Sequence, residues 1–505
     1  MELEVGEAFE VVGGGTPSRG SPRFWDGDIP WVTSADLEED LGIRIRRSVT
    51  TLGIEKSAAS VVPAGSVIVA TRVGLGKIGL AVQPMSFSQD CQALIPPTGI
   101  DAAFAAHQLK WLSRRFAGQA RGTTISGITK KQLLSTAFSI APLPEQRRIV
   151  AKIEELFSEL DAGVAALERA QAKLERYRAS VLKASVEGRL TEQWRKENPP
   201  EETGEELLKR ILAERRKRWG EEQLAGFEAK GKTPPKGWRE KHREPEGPDT
   251  SELPELPEGW CWVGLAQVAS FQNGRAFPSN EYSASGVRLL RPGNLMADGR
   301  VVWREDNTRF MPTTWLERFP AYLVRGGELV MNLTAQSLKD EFLGRTSLTD
   351  EGEACLLNQR LARLTPLRLA LPSFLLAVLK AERFRRFVDG LNKGSLIQHM
   401  FTRQLSQFFF PFPPIQEQEV IAKTAAEATE NVSRTQCTVS AQIRRVELMR
   451  SAILKLAFEG RLVPQDPNDE PASVLLERIR ASRKAEKPAA KRPRKRKSSQ
   501  GSLDL

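Results

Sequence analysis

Apolar residues recur at helical spacing along two long stretches of the chain. In the first stretch they run from Ile149 to Val181 at steps that are mostly three or four residues, and in the second they run from Ile421 to Ile453. Steps of this size place the apolar side chains on one face of a helix. The pattern predicts two long helices, over residues 145–190 and 415–462, and each needs another element to cover its apolar face.

The second stretch repeats the first, because its apolar positions lie 272 residues further along the chain, as Ile421 does from Ile149. We expect the two faces to pair as a coiled coil, either antiparallel or parallel. The alternative is that each helix covers only its own domain. The same spacing also places Tyr177 and Met449 in the stripes. The residues expected to pair the helices are Ile149, Ile153, Leu156, Leu160, Leu167, Leu174, Val181, Ile421, Val432, Val439, Val446 and Ile453.

The segment before each long helix has a different pattern. Short apolar runs follow glycine-containing turns, as at 66–70 and 328–331, and they predict strands. Helical patterns follow at 102–116 and 372–388. The predicted fold class is therefore α+β, with two α+β domains in tandem that are separated and followed by the long helices.

These patterns divide the chain into domains and connecting segments. The first domain is expected over residues 1–144 and the second over residues 256–414. A polar segment, 191–255, is expected to form a helical and loose linker between the first long helix and the second domain. Residues 463–505 are expected to hold a short helix and then a basic, disordered tail.

Each connecting segment contains one short helical pattern. In the linker it covers residues 204–219, and beyond the second long helix it covers residues 473–483. Prolines 234 and 235, and the stretch 245–257, predict irregular structure before the second domain.

Charge and composition narrow the function classes. The net charge is +11, and residues 481–505 alone carry nine Lys and Arg against two acids. A basic excess attracts polyanions, of which nucleic acid is the commonest in the cytoplasm. The chain has no apolar run of eighteen residues and no apolar signal core after Met1, so we expect a cytoplasmic protein that does not contact membrane.

Motifs for catalysis or metal binding are weak or incomplete. The four cysteines lie far apart and there are only three histidines, so no metal site is expected. Gly74-x-Gly76-x-x-Gly79 resembles a dinucleotide fingerprint, but a strand pattern follows it and predicts a hairpin. Asn198-Pro199-Pro200 lacks the aromatic fourth residue that would stack on a flipped base. We expect no catalytic residue and no cofactor bound by this chain.

Polar and basic residues of the two domains remain as candidate DNA contacts. Lys and Arg suit phosphates, and Arg, Asn and Gln can bond base edges through two hydrogen bonds. Gly-Thr/Ser-x-Ile recurs before both long helices. The candidates in the first domain are Thr16, Ser18, Arg19, Arg72, Lys77, Thr123, Thr124, Ser126, Lys130 and Lys131. The candidates in the second domain are Asn273, Arg275, Arg291, Asn294, Arg360, Asn392, Lys393, Ser395, Gln398 and Arg403.

The order of these features resembles that of the specificity subunits of type I restriction–modification enzymes. Both long helices start with Pro-x-x-Glu-Gln, at 142–146 and 414–418, and both end with Glu-Gly-Arg-Leu, at 187–190 and 459–462. The second domain opens with Leu-Pro-Glu-Gly-Trp, at 256–260, which resembles a common start in that family. The first domain lacks this opening.

The resemblance implies a noncatalytic subunit in which each domain reads one half of a bipartite site on double-stranded DNA. The paired helices would set the spacer and dock two methyltransferase subunits, through which restriction subunits join. S-adenosylmethionine, ATP and Mg²⁺ would then belong to the partner subunits. Because the two domains differ strongly in sequence, the two half-sites are expected to differ. The alternatives are a scaffold that binds only protein, and a methyltransferase or nuclease acting alone.

Overall fold

The computed structural model of the protein describes residues 1–74, 76–117, 128–336, 341–367, 369–391 and 398–486. The chain divides into two compact units. The first comprises Met1–Ala166 and Ala441–Leu505, and the second comprises Leu167–Ser440. Each long helix therefore contributes residues to both units.

The two long helices have equal lengths. The first long helix is Leu143–Val186 and the second is Ile415–Phe458, and each has 44 residues. A proline stands just before each helix, at Pro142 and Pro414, and a glycine with positive φ follows each, at Gly188 and Gly460. Glycine adopts that conformation without a steric penalty, so it ends a helix readily.

The domain of the first unit contains two sheets of four strands. One has the order Glu10–Gly13, Cys91–Ile95, Val67–Ala70, Ile78–Leu80, and its pairs are antiparallel. The other has the order Arg47–Val49, Trp25–Val32, Met85–Phe87, Val61–Val62, and its central pair is parallel. Glu2–Glu4 pairs with Ala137–Ser139 beside the first long helix.

The domain of the second unit has the same topology. Its antiparallel sheet has the order Ala269–Asn273, Leu361–Pro366, Leu329–Asn332, Thr346–Leu348. Its mixed sheet has the order Phe310–Met311, Val287–Leu290, Ala354–Leu357, Leu323–Arg325, again with a parallel central pair. Two short antiparallel pairs join Cys261–Gly264 to Phe409–Phe412 and Thr334–Ala335 to Gln398–His399. The predicted α+β class with tandem domains is thus confirmed, and the duplication extends to the strand order.

Shorter helices complete both units. Those of the first unit are Val5–Ala8, Thr51–Glu55, Ala102–Ala117, Lys130–Leu134 and Ala472–Glu486, with 3-10 turns at Pro22–Phe24 and Ser34–Asp36. Those of the second unit are Glu192–Glu197, Gly204–Glu228, Leu265–Val268, Thr314–Arg318, Pro372–Lys380, Glu382–Leu391 and Thr402–Leu405, with 3-10 turns at Trp238–Lys241, Ser279–Glu281, Pro292–Asn294 and Pro320–Tyr322.

The helical pattern over residues 372–388 forms two helices rather than one continuous helix. Ala381 has an extended backbone, with φ −74° and ψ 155°, and separates Pro372–Lys380 from Glu382–Leu391. The bend lets Phe374 and Phe384 enter the same core, where both are buried. Burial of both rings outweighs the loss of one continuous helix.

The glycine motif at 74–79 lies in a hairpin, as predicted. Val67–Ala70 and Ile78–Leu80 pair antiparallel, with Val69 opposite Ile78. Gly74 and Gly76 have positive φ in the connection. No helix begins after the motif in this described segment, so the arrangement differs from a dinucleotide-binding turn.

Candidate nucleic-acid interface and helix pairing

In the first unit the two long helices pack antiparallel. Ile149 and Ile153 are buried in one core with Leu454 and Phe458. About two turns further along the first helix, Asp161 accepts a hydrogen bond from Arg450, which lies earlier in the second helix. Contacts that advance along one helix and go back along the other define antiparallel pairing.

In the second unit the same relationship holds. Glu175 accepts a hydrogen bond from Gln436, at 2.8 Å. Leu182 is buried with Ala425, further towards the start of the second helix. Of the two orientations that the sequence left open, the structure has the antiparallel one within each unit.

The ends of the helices also cover the domains. Ile153 shares its core with Phe104 and Phe138 of the first domain, and Ile421 shares its core with Phe374 and Phe412 of the second. Helix pairing and domain covering, proposed as alternatives, therefore occur together.

The side chains of the predicted apolar stripe differ in how deeply they are buried. Its fully buried members are Ile149, Ile153, Ile421, Val432 and Val439. Its half-buried members are Leu156, Leu160, Leu167, Leu174, Val181, Val446 and Ile453. Tyr177 and Met449 do not belong to it, because their side chains are 57% and 47% exposed. In both cases the helical spacing places the residue at the margin of the apolar face.

The repeated glutamine attaches each long helix to its domain. Gln146 accepts from the backbone N–H of Asp101 at 2.8 Å and donates to the carbonyl of Ala141 at 2.8 Å. Gln418 accepts from the N–H of Leu371 at 3.3 Å and donates to the carbonyl of Pro413 at 3.0 Å. Each glutamine thus satisfies backbone groups at the start of the domain helix and just before its own long helix.

The repeated glutamate has two different environments. Glu417 is 1% exposed and accepts hydrogen bonds from Thr191, Arg195 and the Trp260 indole. Glu145 lies near Arg148, which forms an ion pair with Asp469 at 2.6 Å. Burial raises the pKa of Glu145, and Arg148 partly offsets that rise. Trp260, which ends the Leu-Pro-Glu-Gly-Trp segment, thus donates a hydrogen bond to the buried carboxylate in the second unit.

Several candidate residues of the first domain meet at one edge of its sheets. Thr16 donates to the side chain of Gln89, and Arg72 lies 4.0 Å from Asp90. The N–H of Ile128 donates to the carbonyl of Thr71 at 3.0 Å, which brings the Lys130–Leu134 helix to the same edge. The loop between Met85–Phe87 and Cys91–Ile95 is therefore the centre of this edge.

The exposure of the first-domain candidates is compatible with a surface contact. The exposed ones are Ser18, Arg19, Arg72, Lys130 and Lys131, and the half-buried ones are Thr16 and Lys77. Thr123, Thr124 and Ser126 lie outside the described residues. Gln89 and Asp90, which contact Thr16 and Arg72, are not among the candidates from the sequence. Their position in a loop between two short strands could have indicated them.

The corresponding edge of the second domain brings together Asn273, Arg275 and Arg360. The N–H of Arg275 donates to the carbonyl of Leu357, and the carbonyl of Arg360 accepts from the N–H of Leu333. Asn273, Arg360 and Arg403 are exposed, and Arg291 is half-buried. Asn392, Lys393 and Ser395 lie outside the described residues.

Three second-domain candidates have structural surroundings that make them poor DNA contacts. Asn294 is fully buried, accepts from the N–H of Arg291 and donates to the carbonyl of Val302. Gln398 is 8% exposed within a strand pair. The guanidinium of Arg275 lies 3.7 Å from the centre of the Phe319 ring. Sequence alone could not separate such buried polar groups from surface ones.

Asn294 has a counterpart in the first domain. Asp36 ends the 3-10 turn Ser34–Asp36 and accepts from the N–H of Thr33 at 2.8 Å. Asn294 ends the turn Pro292–Asn294 and accepts from the N–H of Arg291 at 2.9 Å. The polar side chain at this position closes a turn in both domains.

The part of the chain that the structure describes also bears on metal sites and reactive cysteines. Within that part of the chain, no three or more Cys, His, Asp or Glu side chains come together as a metal site requires. Burial raises the pKa of the Cys91 thiol to about 12, so it is a poor nucleophile. None of the described helices combines the length and the apolar character needed to cross a bilayer.

Comparisons with known proteins find sequences similar to this chain. Residues 1–169 match the family described as the type I restriction modification DNA specificity domain. The chain is 28% identical over 293 residues to the type I restriction enzyme EcoAI specificity subunit of Escherichia coli, covering 56% of this chain and 45% of that protein. It is 24% identical over 413 residues to the EcoKI specificity subunit of Escherichia coli strain K12, covering 79% of this chain and 76% of that protein.

The solved structures support the same fold. One chain, from work on complex assembly and conformational transition of the type I R-M system, matches with a TM-score of 0.63 and 19% identity, covering 92% of this chain and 98% of that chain. The alignments with the first four curated relatives cover less than half of each relative's length, between 37% and 48%. Residues 1–169 thus match the DNA specificity domain of that family, and the chain as a whole is similar in sequence and fold to specificity subunits of type I restriction enzymes.

Proposed function

We propose that the chain is the noncatalytic subunit that gives a type I restriction–modification complex its DNA sequence specificity. Each domain reads one half of an asymmetric, bipartite site on double-stranded DNA. The antiparallel helices set the distance between the half-sites and dock two methyltransferase subunits, through which restriction subunits join. The complex acts in the cytoplasm.

One observation carries this proposal. The two domains share their strand order but present different side chains at the equivalent edge, where Thr16, Arg72 and Lys130 stand in one and Asn273, Arg360 and Arg403 in the other. Arg and Asn can bond base edges, and Thr and Lys contact phosphates or bases less selectively. A common framework with different polar surfaces suits two different half-sites.

The chemistry of the complex is assigned to the partner subunits. S-adenosylmethionine would bind the methyltransferase subunits, and ATP with Mg²⁺ would bind the restriction subunits. This chain would supply DNA contacts and the helical surface on which the partners assemble. Two linked reading domains also gain affinity from each other, because binding of one raises the local concentration of the other.

Methylation mapping tests the proposal. The chain is expressed with its methyltransferase in a host that lacks other modification systems, and methylated positions are mapped across the genome. We expect one bipartite motif with unlike halves. Replacing residues 1–141 by the equivalent domain of a relative should change one half and preserve the other.

The alternatives predict different outcomes. A scaffold that binds only protein would give equal affinity of the assembled complex for all DNA sequences. A methyltransferase or nuclease acting alone would modify or cut DNA when this chain is purified without partners. Either result would overturn the proposal.

A further inference from the structure

The second domain carries a helical hairpin, which is formed by residues 204–247. The helix Gly204–Glu228 packs on the domain through Leu207 and Ile211, which are buried in its core. Arg215 also contacts the domain, because its side chain donates to the carbonyl of Ala266. The remaining helix, from Arg216 to Glu228, extends for roughly 20 Å at 1.5 Å per residue.

After the helix, the chain returns to the part of the domain around Ala266. A Cβ atom on Gly247 would be 3.5 Å from the side chain of Gln267, and a Cβ on Gly264 would be 3.4 Å from the carbonyl oxygen of Glu246. Both ends of the helical hairpin are therefore attached within a few residues of Ala266. The segment thus has a defined base and is not a free linker.

Aromatic side chains hold the segment that follows the helix against the helix. The rings of Trp219 and Trp238 stack with centres 5.8 Å apart, and Phe227 meets Trp238 at 6.3 Å. His242 meets Trp219 at 5.1 Å. These contacts fix the position of residues 229–243, which we call the basic arm.

The basic arm holds six Lys and Arg and a single acid, Glu240. All six cations are exposed. Among the residues that the structure describes, none of the six takes part in an ion pair, and Arg239 alone has a ring contact, with Trp238. By contrast, cations on the helix such as Lys209 and Arg210 are paired with Glu205 and Glu202. The six cations are Lys230, Lys232, Lys236, Arg239, Lys241 and Arg243.

The composition of the arm favours a phosphate backbone over a protein surface. Lysine is depleted in protein–protein interfaces, where aromatic residues and arginine dominate, whereas lysine is a common contact of phosphates. Here the aromatic rings pack against one another between the helix and the basic arm. Four of the six cations are lysines. Exposed, unpaired cations release counterions from DNA without needing a particular base sequence.

The duplication supplies a second argument. The helix Ala472–Glu486 packs on the first domain through Leu475 and Ile479, as Leu207 and Ile211 do on the second. It too is followed by a basic stretch, residues 487–497, with seven Lys and Arg and no acid. A basic segment thus follows the packing helix in both copies.

We propose that the basic arm is a second DNA contact of this chain, which binds the phosphate backbone of the duplex without reading its sequence. This DNA contact goes beyond the proposed function, because the basic arm lies outside the edge of the domain to which we assign half-site reading. Its contribution adds affinity equally to all sequences.

The test compares two variants of the chain. In the arm variant Lys230, Lys232 and Lys236 are each replaced by Gln. In the matched control Lys196, Lys209 and Lys455, each exposed and paired with a glutamate four residues away, are replaced in the same way. Binding to a random-sequence duplex is measured by fluorescence anisotropy over a range of salt concentrations.

For the arm variant we expect the slope of log Kobs against log salt to become shallower by about 2.7, since each neutralised phosphate contact contributes about 0.9. The control should keep the wild-type slope. An unchanged slope in the arm variant, or an equal change in the control, would overturn the proposal. Loss of partner co-purification with an unchanged DNA slope would also overturn it, because the arm would then bind protein.

The outcome is separable from that of the proposed function. The random-sequence duplex contains no selected half-site, so the arm can succeed or fail whether or not the domains read sequence. Thermal unfolding of the two variants and the wild-type chain, followed by circular dichroism, checks that the substitutions leave the fold intact. We expect coincident unfolding curves, because all six substituted lysines are at the surface.

Discussion

Arg195 lies 2.8 Å from the carboxylate of Glu417, which is only 1% exposed. The linker residue thus neutralises a charge at the buried start of the second long helix. Trp260 donates to the same carboxylate at 2.8 Å. The linker, the opening of the second domain and the long helix are joined at this one group.

Removing the cation should therefore destabilise the second unit. We expect Arg195→Met to lower the free energy of unfolding by about 3–5 kcal/mol, because a buried carboxylate is left without its partner. Guanidinium unfolding followed by tryptophan fluorescence measures the change. Lys196→Met is the control, since Lys196 forms an exposed ion pair and its loss should have no measurable effect. Equal effects of the two substitutions would contradict the account.

A buried histidine gives the first unit a pH dependence. Burial and the nearby Lys110 lower the pKa of His107 to about 4. Its Nδ1 has no hydrogen-bond partner among the described residues. Because the pKa in the folded state is below the ordinary value of 6.5, stability is present above pH 6.5 and is lost as pH falls towards 4.

The magnitude follows from the size of that shift. We expect a loss of up to about 3 kcal/mol between pH 6.5 and 4, at about 1.4 kcal/mol per pH unit. In His107→Asn, which cannot titrate, this part of the pH dependence should disappear. Thermal unfolding at a series of pH values checks the prediction. The same fall in the wild-type and variant chains would exclude His107 as its source.

Substitutions of surface candidates should affect DNA recognition, whereas substitutions of buried candidates should affect stability. Arg72→Gln removes an exposed cation at the edge of the first domain, so we expect weaker DNA binding or altered methylation of one half-site, with normal stability. Asn294→Ala leaves buried backbone groups unpaired, so we expect stability to fall by about 1–3 kcal/mol with the methylated sequence unchanged. Genome-wide methylation mapping and denaturant unfolding together measure both effects. A changed motif in Asn294→Ala would refute the structural role.

How much the sequence predicts depends on whether a feature is local. The apolar stripe through Ile153 and Ile421 depends on spacing alone, and so both long helices were predictable. Antiparallel orientation was not, because it rests on contacts such as Gln436 with Glu175 between distant segments. The break at Ala381 likewise depends on a core that gathers Phe374 and Phe384 from both sides.

The candidate interface was predictable only in outline. Exposed Arg72 and Arg360 cannot be told from buried Asn294 by residue type, because burial is decided by strands elsewhere in the chain. The repeat of strand order between the domains was also hidden, since apolar strand residues can be exchanged freely while the topology is kept. The sequence predicts a loose linker where the structure has the basic arm, because the aromatic contacts that hold the arm join residues that are not neighbours in the sequence, such as Trp219 and Trp238.

The central claim is that the paired helices set the spacing between two half-sites. It is tested by inserting seven residues of helical sequence after Glu168 and seven after Ile443, so that the antiparallel pairing is kept. Each insertion lengthens its helix by about 10 Å, which equals roughly three base pairs of duplex. Methylation mapping should then find both half-sites unchanged and the spacer longer by about three base pairs. Altered half-sites, or full methylation with the original spacer, would contradict the account.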